Sequence, residues 1–469
     1  MPDLEYVFHP RSIAILGSFS NGYGPATYFF LRPLVDFGYE GRIYPVNPRG
    51  GEALGLKVYP GLLDVPGPVD HVICVIRAEL TAQLMRDCVA KGVKSIQLFT
   101  AGFGETGREE GFRLQREMVD IARQGGVRIL GPNCMGIYCP ASRVSFESSF
   151  PRESGSVGLL AQSGGNTVEI VQIGNAKGIR FSKAVSFGNA CDVNEVELID
   201  HFAADPATEI IAGYIEGTRD GRGLMRALKD AAGVKPVVLL KGGATDEGSK
   251  AAASHTGALA GSGAVWSSLF RQLGVIEARD TEDLIDMVQI FQYLKPVKGR
   301  RLGLVGGGGG ASVLLTDSCA REGLAIPRFP DELVRKLREV LPEEADPGTM
   351  VSNPVDFSGS GVQQEIVSGA IETVGTYDGV DLLLVFLNLY PGMGEASTMQ
   401  FDHIIEIRKR LAKPMVIVLR SEPVPDAGDY VLRLQQKCAA AGIPIFSSHE
   451  RVTRALNRFI GYWESRDGG

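Results

Sequence analysis

Ser12-Ile13-Ala14-Ile15-Leu16-Gly17-Ser18 is an apolar run of strand length that stops on a glycine. A strand covered on both faces needs such a run, and a glycine directly after it marks a tight turn into the next element. Gly41 to Val46, His71 to Ile76, Ser95 to Phe99 and Val127 to Leu130 repeat the pattern at intervals long enough to hold a helix. The alternation predicts a doubly wound α/β sheet. Its first turn, Gly17 to Gly24, is the glycine-rich kind that brings backbone N–H groups close to a phosphate.

The same rhythm continues through the chain. A stretch rich in Ser, Pro and Gly, Phe146 to Ser156, reads as a linker. After it the strand Ser156 to Ala161 leads through Gln162-Ser163-Gly164-Gly165-Asn166 into a helix. Ser163 is placed to cap that helix, while Gly164 and Gly165 leave its first amides open to an anion. Further strands are expected at Ile210 to Ile215, with Glu216 at the end, and at Val237 to Leu240. Ser254-His255-Thr256-Gly257-Ala258-Leu259-Ala260-Gly261 follows, a small-residue loop that carries one imidazole and leads into a helix with Trp266, Leu269, Phe270 and Leu273.

A second boundary falls at Lys295-Pro296-Val297-Lys298-Gly299-Arg300, and Leu302 to Val305 opens a third unit. There Gly306 to Gly310 and Ala311 start a helix. Five consecutive glycines are costly in entropy, so a phosphate approaching the amides of Gly308, Gly309, Gly310 and Ala311 is the expected use. The unit continues through strands at Leu382 to Leu389, Met415 to Leu419 and Pro444 to Phe446. The expected domains are 1–145, 146–297 and 298–469, an architecture that suits 469 residues.

Composition narrows the function. A net charge of −7 argues against broad binding to nucleic acid or to an anionic membrane. No apolar stretch has membrane-spanning length and the N-terminus lacks a signal-peptide pattern. Seven cysteines without a Cys-x-x-Cys pair point to reduced thiols, a cytoplasmic setting and no structural metal. An NAD-dependent dehydrogenase is disfavoured, because the second strand ends in Tyr44-Pro45-Val46-Asn47-Pro48, without the acidic residue that would hold a ribose. The glycine run before Ala311 lacks the Lys-Ser/Thr of a P-loop.

Taken together, SHTGALAG, QSGGN, YIEG and GPNC, with YPVNP, AGF and NPVD, resemble the NDP-forming acyl-CoA synthetases, the superfamily of succinyl-CoA synthetase. The resemblance covers nearly the whole chain and is to the α subunit of the ADP-forming members. It implies a Rossmann-like CoA-binding domain followed by two flavodoxin-like ligase domains. The implied reaction interconverts acyl-CoA, ADP and phosphate with acid, CoA and ATP, through an acyl phosphate and a phosphohistidine at His255. Neutral imidazole is a competent nucleophile near pH 7, and a carboxylate on its other nitrogen would fix the tautomer. Glu216 matches that position.

CoA would be held by Gly17, Ser18, Asn47, Pro48, Arg77, Asn133 and Cys134, and phosphate by Ser163, Gly164, Gly165 and Gly308 to Ala311. The pattern departs from relatives in having no lysine between Gly17 and Gly24, and in Ile76-Arg77-Ala78 where Val-Pro-Ala is usual. No stretch is left for the nucleotide-binding ATP-grasp module. The resemblance therefore implies a β subunit carrying ADP/ATP and Mg²⁺, in a heterotetramer. The alternative is a non-catalytic CoA-binding regulatory subunit that has kept the fold.

Overall fold

The computed structural model describes residues 4–19, 24–250, 261–341, 351–356, 364–389, 394–421 and 427–467. It contains three α/β sheets arranged in two compact units: 1–175 with 180–284, and 176–179 with 285–469.

The first unit holds two of the sheets. In one, strands β1 (Ser12–Leu16), β2 (Arg42–Val46), β5 (His71–Cys74), β6 (Ser95–Leu98) and β7 (Arg128–Leu130) lie parallel in the order β2-β1-β5-β6-β7. A small antiparallel hairpin, β3 (Gly51–Ala53) with β4 (Leu56–Val58), stands between β2 and β5 in sequence. β1, β5 and β6 are buried along their full length, as the apolar runs require when helices cover both faces.

The other sheet has the order β13-β12-β11-β9-β10-β8. Its parallel strands are β9 (Val157–Ala161), β10 (Phe181–Ser186), β11 (Ile210–Ile215), β12 (Val237–Lys241) and β13 (Ile276–Ala278). The antiparallel edge strand β8 (Gly136–Tyr138) comes from before the Ser/Pro/Gly stretch, so this sheet begins at residue 136. That stretch is not a loose linker. Phe150 stacks edge-on against Tyr138 at 4.9 Å and Phe146 at 5.4 Å between ring centroids, and the Tyr138 hydroxyl donates to the Pro151 carbonyl at 2.6 Å. Burial of two phenylalanines outweighs the turn-forming composition around them.

The second unit is built on β14 (Leu302–Gly306), β15 (Val355–Asp356), β16 (Leu382–Leu389), β17 (Met415–Ser421) and β18 (Ile445–Phe446), parallel in the order β15-β14-β16-β17-β18. Its core joins Val305, Val385 and Ile417 of the sheet to Leu337, Ile371, Ile404 and Leu434 of the helices.

In each sheet one strand has its sequence successor on one side and the next strand on the other. The reversals lie between β1 and β5, between β9 and β11, and between β14 and β16. Connections leave these neighbours in opposite directions and open a crevice at the strand C-terminal ends, where doubly wound sheets bind ligands. Among the described residues no helix is long and apolar enough to cross a membrane.

Candidate active site

At the reversal between β1 and β5 lies a cavity of about 750 Å³ lined by Gly17 and Ser18 after β1, Asn47 and Pro48 after β2, and Val75, Ile76 and Arg77 after β5. Residues 20–23 of the first turn lie outside the described residues. Asn47 builds the wall. Its Nδ2 donates to the Gly17 carbonyl at 2.7 Å and its Oδ1 accepts from Arg49 N at 3.0 Å, so the side chain ties the two turns together. Arg77 is exposed, its guanidinium has no ion pair or hydrogen bond among the described residues, and with Arg49 it offers a cation at this mouth to a phosphorylated ligand.

Val75, Ile76 and Arg77 also line a second cavity of about 580 Å³, which runs from Pro25, Phe99 and Thr100 past Asn133, Cys134 and Met135 to Gln162, Ser163, Gly164 and Gly165. The two cavities therefore share a wall and connect the first sheet's crevice to the start of the helix Gly164–Ala176. The turn Gly131-Pro132-Asn133-Cys134 is tightly built. Gly131 has φ +103°, and a Cβ there would come within 2.8 Å of Cys134 Sγ. The Cys134 thiol faces the carbonyls of Leu98 and Leu130 at 3.5 Å each, and burial pushes its pKa up to about 12. A thiol held this way is a wall and not a nucleophile.

Ser163 caps the following helix: its Oγ accepts from Asn166 N at 3.3 Å, and its carbonyl accepts from Thr167 N at 3.1 Å. Gly164 and Gly165 line the cavity at the first turn of the helix, where the backbone N–H groups have no partner within the helix ladder. A Cβ at Gly164 would strike Met135 Cγ at 2.6 Å, whereas one at Gly165 would meet nothing closer than Ser163 Oγ at 4.0 Å.

Glu216 is 5 % exposed and so is no solvated strand end. Tyr214 donates its hydroxyl to Glu216 Oε1 at 3.1 Å, and the Gln162 carboxamide oxygen accepts from the backbone N–H of Glu216 and, at 3.0 Å, from that of Gly217. Burial, and then the neighbouring Glu216 charge, raises the Tyr214 pKa. On the adjacent strand Lys241 is buried, with its Nζ 5.4 Å from the centroid of the Trp266 ring. Burial lowers its pKa and the Glu216 charge opposes that shift. His255 lies outside the described residues; the helix Gly263–Leu273 that follows buries Trp266 and Phe270.

In the second unit the glycine run starts the helix Gly309–Arg321, with Ala311 buried and Gly308 at φ +110°. Gly308 N donates to Asp356 Oδ1 at 2.9 Å, so a carboxylate of the chain already stands at this helix start. Asn388 Nδ2 closes the turn on the Gly307 carbonyl at 2.9 Å. Any phosphate reaching Gly309 or Gly310 would meet that negative charge as well as the open amides.

Known proteins carry the same parts in the same order. The profile of the CoA binding domain matches residues 11–140, and that of the succinyl-CoA ligase like flavodoxin domain matches residues 154–291. The α subunit of ADP-forming acetate–CoA ligase II from Pyrococcus furiosus is 33 % identical, with 99 % of each chain aligned. The chain belongs to the ADP-forming acyl-CoA synthetase family. ADP-forming acetate–CoA ligase I of Archaeoglobus fulgidus is 34 % identical over 97 % of the chain, which spans 63 % of that relative's length. Among solved structures, a Ca. Korarchaeum cryptofilum dinucleotide-forming acetyl-coenzyme A synthetase 1, in complex with phosphate and ADP, superimposes with a TM-score of 0.85 at 30 % identity, covering 100 % of this chain and 98 % of its own.

Within this family member, the sequence motifs left two apolar residues of the second cavity and one buried lysine unmarked. Pro25 only follows the first glycine turn, Phe99 reads as the end of a strand and Lys241 lies just past the expected strand Val237 to Leu240, whereas Thr100 and Met135 fall in the glycine turns Thr100 to Gly104 and Gly131 to Gly136. A polar residue ending an apolar strand, as in Leu239-Leu240-Lys241 and Leu160-Ala161-Gln162, is the signal that could have found Lys241 and Gln162.

Proposed function

We propose that the chain is the α portion of an ADP-forming acyl-CoA synthetase that interconverts acyl-CoA, ADP and phosphate with acid, CoA and ATP. The observation that carries this reading is the wall of Val75, Ile76 and Arg77 common to both cavities, which leads from the CoA-type crevice to the Gly164–Ala176 helix start within one compact unit. CoA fits the first cavity, with the Gly17-Ser18 and Asn47-Pro48 turns along it and Arg77 offering a charge to its phosphates. The apolar side chains of Pro25, Ile76, Phe99 and Met135 suit the hydrocarbon part of a small carboxylic acid.

A phosphate oxygen at the helix start attacks the thioester carbonyl. The C–S bond breaks, and CoA leaves as a thiolate that takes up a proton. A ring nitrogen of His255 then attacks phosphorus in the acyl phosphate, releasing the carboxylate. Glu216 holds the proton of the other ring nitrogen and offsets the charge that forms there. ADP finally takes the phosphoryl group from the P–N bond. ADP/ATP and Mg²⁺ belong on a separate ATP-grasp β subunit, with which the chain forms a heterotetramer, and the His255 loop carries the phosphoryl group between the two sites.

The test is incubation with an acyl-CoA and labelled phosphate, alone and with a candidate β subunit. An acid-labile, base-stable label is expected in the wild type and absent from His255→Ala. No label in either setting would defeat the reading and leave a CoA-binding regulator.

A further inference from the structure

We propose that the Gln162 carboxamide is itself a phosphate ligand: its oxygen braces the Glu216-Gly217 backbone while its NH₂ group donates to the phosphoryl oxygens. This rests on the synthetase reading of the site.

The orientation of the amide follows from its neighbours. Gln162 N is bonded to the Tyr214 carbonyl at 3.0 Å, which fixes the residue at the reversal between β9 and β11. Two backbone N–H groups, of Glu216 and Gly217, converge on the end of its side chain. Only an oxygen accepts two donors, so the NH₂ is the other arm of the plane. That arm has no acceptor among the described residues, although Gln162 is only 5 % exposed. The nitrogen keeps access to the cavity that Gln162 lines, and so is open to an acceptor supplied there.

The surroundings say which ligand. Gln162 lines the 580 Å³ cavity directly beside Ser163, Gly164 and Gly165, where the Asn166 and Thr167 amides are taken by Ser163 and those of the two glycines are ahead of the ladder. The Gln162 NH₂ and the amides of Gly164 and Gly165 put several donors on this wall, which suits an oxyanion with several acceptor atoms. The same side chain lines a smaller polar cavity of about 110 Å³ with Glu195, Thr218 and Arg219, so it forms the partition between the two. Through the brace, Gln162 also places Glu216, and one residue thus couples phosphate occupancy to the position of the carboxylate that serves His255.

Two variants in the assembled enzyme separate the roles, with phosphate-dependent CoA release from acyl-CoA as the assay. Gln162→Glu keeps an acceptor for both N–H groups but removes the donor and adds a repelling charge. Phosphate KM is expected to rise at least tenfold in the folded variant, with the KM for acyl-CoA within twofold. Gln162→Met, neutral and of similar length, loses brace and donor, and kcat should fall along with the rise in phosphate KM. A phosphate KM within twofold of wild type in either folded variant overturns the inference. Failure of both variants to fold would reduce the residue to a brace and overturn it equally. A wild-type enzyme without phosphate-dependent CoA release would instead defeat the synthetase reading beneath it.

Discussion

Replacing Gly165 with alanine should move stability and phosphate binding in opposite directions. Gly165 is the second residue of the helix Gly164–Ala176, is exposed, and has only Ser163 Oγ, at 4.0 Å, near the position of an added Cβ. Fold strain is therefore absent, and alanine should stabilise by about 0.5–1 kcal/mol through the lower entropy of the unfolded chain. For a unit of this size that is a rise in melting temperature of about 2 °C. The same methyl group would be added at the cavity that Gly165 lines. Loss of one hydrogen bond to a charged oxygen, about 1.5–3 kcal/mol, corresponds to roughly a 10- to 150-fold rise in phosphate KM. Thermal melts and phosphate titration of acyl-CoA phosphorolysis measure the two effects on one preparation. A variant that melts higher and retains the wild-type phosphate KM would show that phosphate does not sit on this helix start.

Arg77→Ala should raise the KM for CoA roughly three- to tenfold and leave phosphate KM unchanged, because an exposed cation with no protein partner contributes only about 1 kcal/mol to a charged ligand. Competitive titration with CoA checks it, and equal shifts in both constants would place Arg77 elsewhere in the reaction. His71 is fully buried between Ser95 Oγ at 2.8 Å and Gln97 Oε1 at 3.2 Å, and burial lowers its pKa to about 4. The unfolded chain takes up this proton first, so the stability it confers is complete above about pH 6.5 and is lost as pH falls to 4, a change of about 3 kcal/mol. Urea unfolding of wild type and His71→Gln at pH 7 and pH 5 should show the loss in wild type alone; parallel losses would assign it to other groups.

The strands and their glycine turns were legible because their causes are local. Ile13 to Leu16 is apolar throughout and must be covered on both faces, and the glycine after it must turn. Burial of Glu216 was not legible, since a carboxylate at a strand end is equally at home in water until Tyr214 and Gln162 close around it. The edge strand Gly136–Tyr138 escaped notice for a similar reason. Three residues carry no periodicity, and only pairing with Phe181–Ser186 makes them a strand. At the third sheet the glycine run was visible, but the Asp356 carboxylate on Gly308 was not, because the two lie 48 positions apart.

What the sequence by itself determined is the repeated unit of apolar strand, glycine turn and helix, together with the motifs of the acyl-CoA synthetase family. Hydrophobic period and turn chemistry are written in neighbouring residues and need no partner. Tertiary structure alone decided which strand ends adjoin. Sheet order set β9 beside β11, so that Gln162 reaches the Glu216 amide across 54 positions, and set the Arg77 turn on the wall of both cavities. Adjacency in a parallel sheet depends on the path of the crossovers, and that path is fixed only when the helices pack.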